Sequence, residues 1–443
     1  MHDRRAPSGG LKSVLPKLRR RLRSVALFEQ LGPGLVTGAA DDDPSGIATY
    51  SQAGAQFGYG LLWTMVLTYP LMTAIQMVSA RIGRVTGCGL ASNMARVLPR
   101  PLVIALVALL FIANTINIGA DLAAMGEAAQ LLVGRGAHLF TVIFAVGSLL
   151  LQLFVPYRRY VTFLKWLTLA LFSYVAVLFV VRIPLAEAGL GLIWPNPRVL
   201  ASKDGLLMIV AIFGTTISPY LFFWQSAQEV EDVEQDPAAE PLKDAPRQAR
   251  RELRRMRLDT LVGMGLSNVI AISIIMATAA TLHASGHVDI QTADQAARAL
   301  QPVAGRFAFF LFSLGIIGTG LLSIPVLAGS AAYAVGEAQD WKCGLEHKPW
   351  EAVGFYSVLG AATLLGMGII WSPIDPVKAL LWSAVLNGVV AAPMMVAMMV
   401  VVARRSEMGR FTSRGSLMVW GWLATAVMVA AAGALLVTTL LGL

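Results

Sequence analysis

Eleven apolar runs, each long enough to cross about 30 Å of hydrocarbon, follow one another along this chain, more apolar surface than one soluble core can hide. They lie at approximately 33–56, 60–80, 102–130, 137–155, 162–182, 205–227, 258–283, 304–336, 352–371, 379–403 and 416–440. With 56% hydrophobic and 14% charged residues, the chain is built for lipid as its solvent. A helix satisfies its own backbone hydrogen bonds in hydrocarbon, so the expected fold class is all-α, a polytopic membrane bundle of about eleven transmembrane helices. The net charge of +9 would suit a nucleic-acid binder, but the basic residues sit between the runs. Of the 35 Lys and Arg, only Arg135, Arg182, Arg198, Lys203, Arg298, Arg306 and Lys378 fall in one set of alternating segments. The rest crowd the other set, which places the amino terminus in the cytoplasm and excludes nucleic acid as the partner. Residues 1–30 read as a basic cytoplasmic arm without a cleavable leader, and 31–443 as one membrane domain. Cys88 and Cys343 are the only cysteines, too few for a disulfide framework or a thiolate cluster.

Two of the runs are broken near their middles, by Asp41-Asp42-Asp43-Pro44-Ser45-Gly46 in the first and Gly214-Thr215-Thr216-Ile217-Ser218-Pro219 in the sixth. Paired breaks five runs apart point to an inverted repeat with a binding site at the membrane midplane. Repeat one then spans about 31–183 and repeat two about 205–403, with 416–440 as an extra helix. Three aspartates inside a membrane segment are costly, roughly 2.5–3.5 kcal/mol each at a helix centre. A hard divalent cation would offset them, since carboxylate and carbonyl oxygens are the ligands such ions prefer. Pro44 frees upstream carbonyls such as that of Ala40, and Pro219 frees that of Thr215 and brings the Ser218 hydroxyl. Asp43, directly at the break, is the expected anionic ligand. Asp41 and Asp42 either assist it or cap a half-helix in water.

Asn114, Asn117 and Asp121 recur at three- and four-residue spacing and share a helix face. They line the bundle interior, with Asp121 either a proton relay or a structural contact. Asn268 and Asn387 read first as interhelical hydrogen-bond formers, with Asn268 kept as a secondary site residue. Glu127 and Glu337, nearer the run ends, are expected to be solvated. His283 and His287 fall in a loop, so no histidine metal site is expected in the membrane core. The segment 228–257 starts acidic and ends basic, and reads as a solvated helix with a phospholipid-facing end.

Several stretches carry a family resemblance. Gly32-Pro33-Gly34-Leu35-Val36 leading to Asp43-Pro44, then Gln52-Ala53-Gly54-Ala55 and Phe57-Gly58-Tyr59-Gly60-Leu61-Leu62-Trp63, resembles the opening of Nramp (natural resistance-associated macrophage protein) metal transporters. Gln76 with Ala80-Arg81-Ile82-Gly83-Arg84-Val85-Thr86-Gly87 is similar to their second span, Ala120-Asp121-Leu122-Ala123 to their third, and Asn268 with Ala271 to their seventh. The resemblance implies a five-plus-five, LeuT-like fold with broken helices one and six, in an inner membrane of bacterial type. It implies a metal site of Asp43, Ala40, Gly46, Thr215, Ser218 and Tyr220, with Asp41, Asp42, Asp121, Gln225 and Asn268 as secondary or relay residues.

The departures carry as much information. The family's Asp-Pro-Gly-Asn is Asp43-Pro44-Ser45-Gly46 here, and its Met-Pro-His is Ser218-Pro219-Tyr220. A hydroxyl in place of a thioether favours harder ions, and the smaller side chains leave room for a partly hydrated one such as Mg²⁺. The family's span-three glutamate is Ala124 and its second sixth-span histidine is Gln225, so proton coupling should be weak or absent. This pattern resembles the Nramp-related magnesium transporters. The expected function is inward movement of Mg²⁺ or Mn²⁺ (with Fe²⁺ a further candidate) by alternating access, with no cofactor, no obligate protein partner and only the ion and membrane lipid as partners. The rivals are a proton-coupled Mn²⁺/Fe²⁺ importer, an organic-solute symporter of the same fold, whose carboxylate substrate the aspartates would repel, and a non-transporting sensor. No nucleophile constellation or phosphate-binding loop is visible, so an enzyme is not expected.

Overall fold

Proline at the first position of a helix costs nothing, because that N–H has no intrahelical partner. Pro44 and Pro219 both use this freedom: each begins a new helix after a short break, so runs one and six fold as two half-helices each. The computed structural model describes residues 33–156, 167–371 and 375–441, and no strand occurs among them. The first run is α1 (Pro33–Asp41) and α2 (Pro44–Phe57). Then come α3 (Leu62–Thr86), a short α4 (Leu90–Val97), α5 (Arg100–Val133), α6 (Ala137–Phe154) and α7 (Phe172–Val180). The sixth run is α8 (Lys203–Thr216) and α9 (Pro219–Gln235). The remainder are α10 (Ala249–Thr281), α11 (Ala308–Ala338), α12 (Val353–Met367), α13 (Pro376–Ala403) and α14 (Ser416–Leu441).

Among the described residues, eight helical stretches are long and apolar enough to cross a membrane. The other three expected runs are the broken pair α1/α2 and the shorter apolar helices α7 and α12. The arm at 1–30 and residues 157–166, which include the opening of the fifth run, lie outside the described residues. Leu109, Ile112, Ile143, Leu150, Val419 and Val429 are exposed around the bundle. In water such a belt would aggregate; in a multi-pass membrane protein it faces the acyl chains.

Polar residues, by contrast, turn inward. The half-helices are wedged among full-length neighbours: α1 and α2 lie against α10, α8 against α13, and α5 against α11. Backbone-to-backbone approach sets two of these contacts. A Cβ on Gly38 of α1 would collide with the backbone of Gly263 on α10. One on Gly214 of α8 would collide with the Ala384 carbonyl and Gly388 of α13. Small residues at such crossings are how membrane helices pack closely.

The segment 228–257 departs from the expected solvated helix. α9 runs on to Gln235, and the loop after it folds back onto the end of α3, where Leu242 N donates to Arg84 O and Lys243 N to Val85 O, both at 3.1 Å. Leu242 is fully buried there. Arg255 reaches Glu229 at 2.6 Å, Glu252 at 3.1 Å and Asp232 at 3.6 Å, while Arg84 reaches Glu252 at 3.4 Å. The alternating charges are therefore not all for solvent. Arg250, Arg254 and Arg257 remain exposed, but Arg255 turns inward because the buried Glu229 carboxylate needs a counter-charge. Glu337 is likewise not simply solvated: half-buried, it accepts from Ala91 N at 2.9 Å and so caps α4.

Candidate functional site

Asp43 stands between α1 and α2 as the N-cap of α2. One carboxylate oxygen accepts from Gly46 N and from the Ser45 hydroxyl, each at 2.7 Å. The other accepts from Asn117 Nδ2 of α5 at 3.1 Å, and Asn117 Oδ1 in turn accepts from the Ser383 hydroxyl of α13 at 2.8 Å. The carboxylate is thus fixed by three elements far apart in sequence. It is 1% exposed.

Gly46 marks where the oxygens converge. A Cβ on Gly46 would sit 3.1 Å from Thr215 Oγ1, 3.3 Å from the Asp41 carbonyl oxygen and 3.4 Å from Asp43 Oδ1. Across the break, Tyr220 Oη donates to the Ala40 carbonyl at 3.1 Å. The Ser218 hydroxyl turns back to the carbonyls of Gly214 and Thr215, at 2.8 and 2.7 Å. A hydroxyl that donates this way keeps its lone pairs free for an ion. The six residues expected at the metal site, Asp43, Ala40, Gly46, Thr215, Ser218 and Tyr220, all line the facing breaks.

The secondary residues separate into three places. Asp41 and Asp42 share the Ser267 hydroxyl of α10, at 2.7 and 3.0 Å, whereas the Asp43 carboxylate is held by Ser45, Gly46 and Asn117. Asp121 accepts from the Ser323 hydroxyl of α11 at 3.0 Å. Gln225 accepts from the Thr37 hydroxyl at 2.6 Å, joining α9 to α1. Asn268 follows Ser267 on α10 and its Oδ1 has no hydrogen-bond partner. Asn114 is structural, holding the Leu327 carbonyl and Ser330 of α11 at 2.9 Å.

Asp41, Asp42, Asp43 and Asp121 are all buried, and among the described residues no basic side chain pairs with any of them. Asp41 Oδ1 and Asp121 Oδ1 lack even a hydrogen-bond donor. Buried carboxylates are ordinarily paired or bound to a cation, and an orphaned oxygen costs about 1–3 kcal/mol. Yet no three His, Cys, Asp or Glu side chains gather as a metal cage among the described residues. The three consecutive aspartates are therefore not gathered into one chelate in this structure. The oxygens brought together are a carboxylate, backbone carbonyls and hydroxyls. Cysteine adds nothing here: Cys343 lies beyond α11, and burial pushes its thiol up to about 12, away from the thiolate a metal needs.

Sequence reasoning did not assign two members of this arrangement. Asn117 was visible as part of a polar helix face, but its bond to Asp43 was not. The Asp41 carbonyl also comes to Gly46 beside Asp43 Oδ1, and only the geometry of the break shows it.

The model of the family described as "Natural resistance-associated macrophage protein-like" matches residues 34–438. The divalent metal cation transporter MntH of Klebsiella pneumoniae (strain 342) is 27% identical over 418 residues, covering 93% of this chain and 94% of that protein. Among solved structures, a manganese transporter of Eremococcus coleocola, in complex with an aromatic bis-isothiourea substituted compound, superposes with a TM-score of 0.71 at 18% identity, over 98% of this chain and 88% of the other. The nucleobase-cation-symport-1 family transporter Mhp1, closed with bromovinylhydantoin bound, gives 0.52 at 13% identity, over 92% and 93%. Those two likenesses establish a shared fold, LeuT-like with broken helices one and six.

Proposed function

The chain belongs to the Nramp-like family, and from that premise we propose that it carries a divalent metal cation, Mg²⁺ or Mn²⁺, through the membrane by alternating access between the two half-helix breaks. The observation that carries the reading is the convergence at Gly46 of Thr215 Oγ1, the Asp41 carbonyl and Asp43 Oδ1, among buried carboxylates that no basic side chain of the described residues neutralises. An anionic carboxylate with neutral hard oxygens around it suits a hard divalent ion. A carboxylate-bearing organic substrate would meet repulsion at the same point. In this reading Asp43 is the anionic ligand, the carbonyls of Ala40, Asp41 and Thr215 surround the ion, and Ser218 offers a hydroxyl oxygen or a contact to a retained water. Tyr220 fixes the α1 side of the break through Ala40. Asp41, Asp42 and Asp121 add negative potential, and Asn117 holds Asp43 in place.

The basic end of the bundle, with Arg84, Arg255 and the folded-back loop, faces the cytoplasm of a bacterial-type inner membrane, and the ion moves toward it under the membrane potential. Proteoliposome uptake with Mg²⁺, Mn²⁺, Ca²⁺ and Fe²⁺ tests the proposal directly. Asp43→Ala should abolish uptake of every ion carried by the wild type while the protein still inserts and elutes as a single species. Uptake near the wild-type rate in Asp43→Ala would show that the ion passes elsewhere.

A further inference from the structure

A narrow cleft, with about 20 Å³ of room inside its open mouth, lies at the end of the bundle away from the loop 236–248, between α2, α5, α11, α13 and the segment after α10. Its inner residues stand one helical turn beyond the polar cluster: Ile47 is four residues past Asp43, Ala124 three past Asp121, and Leu380 three before Ser383. One turn is about 5.4 Å, so its floor lies just above the oxygens at the break. The lining is apolar except for Ser51 and Glu127. Glu127 is half-buried and, among the described residues, makes no hydrogen bond and no ion pair. Its charged neighbour is Asp375, the N-cap of α13, whose carboxylate is held by Val377 N at 3.0 Å.

We propose that Glu127 is an entry station for the transported divalent cation, drawing it from the outer solution into the cleft above the Asp43 site; the inference rests on the cation-transport reading. An unpaired carboxylate in walls of low dielectric concentrates its field along the opening, and such focusing raises arrival rates about 10- to 1,000-fold. A single carboxylate with no converging polar ligands also holds an ion weakly, as a transit point must. Asp375 adds negative potential at the mouth while one of its oxygens caps α13. Ala124 leaves the path from Glu127 down to Asp121 and Asp43 lined by a methyl group instead of a second acid. Glu127 is thus a positioning residue, acting on the approach of the ion and not on its final coordination.

The experiment measures initial Mn²⁺ and Mg²⁺ uptake in proteoliposomes at low and high ionic strength for wild type, Glu127→Gln, Glu127→Lys, Glu127→Asp and Asp43→Ala. Glu127→Gln should raise KM about 10-fold at low ionic strength with little change in Vmax. The gap to wild type should narrow as salt screens the field. Glu127→Lys should raise KM further, and Glu127→Asp should stay near wild type. An unchanged KM in both Gln and Lys variants, or a fall in Vmax at constant KM, would overturn the entry role while leaving the Asp43 site standing. A wild type that carries no divalent cation would overturn both, and Asp43→Ala uptake equal to wild type would overturn the Asp43 site and with it an entry path leading to that site.

Discussion

In the proposed site, Ser218 would serve both the helix break and the ion. Its hydroxyl hydrogen is occupied by the Gly214 and Thr215 carbonyls, which leaves the oxygen lone pairs as the part available to a cation. Methionine at this position would remove that back-bond, fill the space and present sulfur. A thioether adds a favourable contact only for softer ions, so Ser218→Met should raise the affinity for Mn²⁺ or Cd²⁺ relative to Mg²⁺, by on the order of tenfold. If Mg²⁺ enters with part of its water shell, the lost volume lowers its uptake further. Competition of Mg²⁺ against Mn²⁺ uptake in wild type and variant measures the ratio. An unchanged ratio would mean that Ser218 faces away from the ion. Gly46 sets the size of the same pocket, because three oxygens lie within 3.4 Å of where its Cβ would be.

Between elements, the ion pairs at the basic end tie α3, α9 and α10 together. Arg255 sits at their centre, bridging Glu229 and Asp232 of α9 to Glu252 of α10, and Arg84 of α3 joins through Glu252. Removing one member of a buried pair leaves the other charge uncompensated, at about 3–5 kcal/mol. Arg255→Met should therefore lower stability by roughly 3 kcal/mol, the low end because Arg255 keeps some solvent contact. It should also loosen the closure of this end. Glu229→Gln in the same protein should recover part of the loss, since the stranded charge is then gone. Thermal unfolding in detergent of the two single variants and the double variant gives the coupling, and an unchanged Tm in Arg255→Met would show the network to be idle.

At the scale of the whole molecule, the question is what travels with the ion. The resemblance to proton-coupled relatives predicts titratable groups at three positions that here hold Ala124 in the wall of the apolar cleft, Tyr220 bonded to the Ala40 carbonyl, and Gln225 bonded to Thr37. None of the three exchanges a proton near neutral pH. Divalent-cation uptake into proteoliposomes under an inside-negative potential should therefore bring no acidification of the lumen beyond that of ion-free controls. A pH-sensitive dye trapped inside reads this directly, and a clear metal-dependent acidification would show that a carboxylate such as Asp121 had taken over a relay.

The all-helical class, the order of the helices, their polar and lipid-facing sides and the two breaks are all written in local sequence. Hydropathy over a span, the 3.6-residue period and the chemistry of Pro44 and Pro219 need no knowledge of neighbours. Asp43 was legible for the same reason, as an acid immediately before a proline in an apolar run. Its surroundings were not. That Asn117 and Ser383 hold its carboxylate, that Ser267 draws Asp41 and Asp42 toward α10, and that Arg255 turns in while Arg254 stays out depend on how helices rotate and cross. Asn117 and Ser383 are 266 residues apart, and nothing in either segment encodes the register between them. The segment 228–257 reads as solvated because its charges look so one at a time, whereas burial of Glu229 decides which arginine must turn inward. Local patterning determined which residues could serve a cation; only the packing of α5, α8, α10 and α13 around the breaks decided which oxygens meet, because a contact between distant helices is a property of their shared geometry and of neither sequence alone.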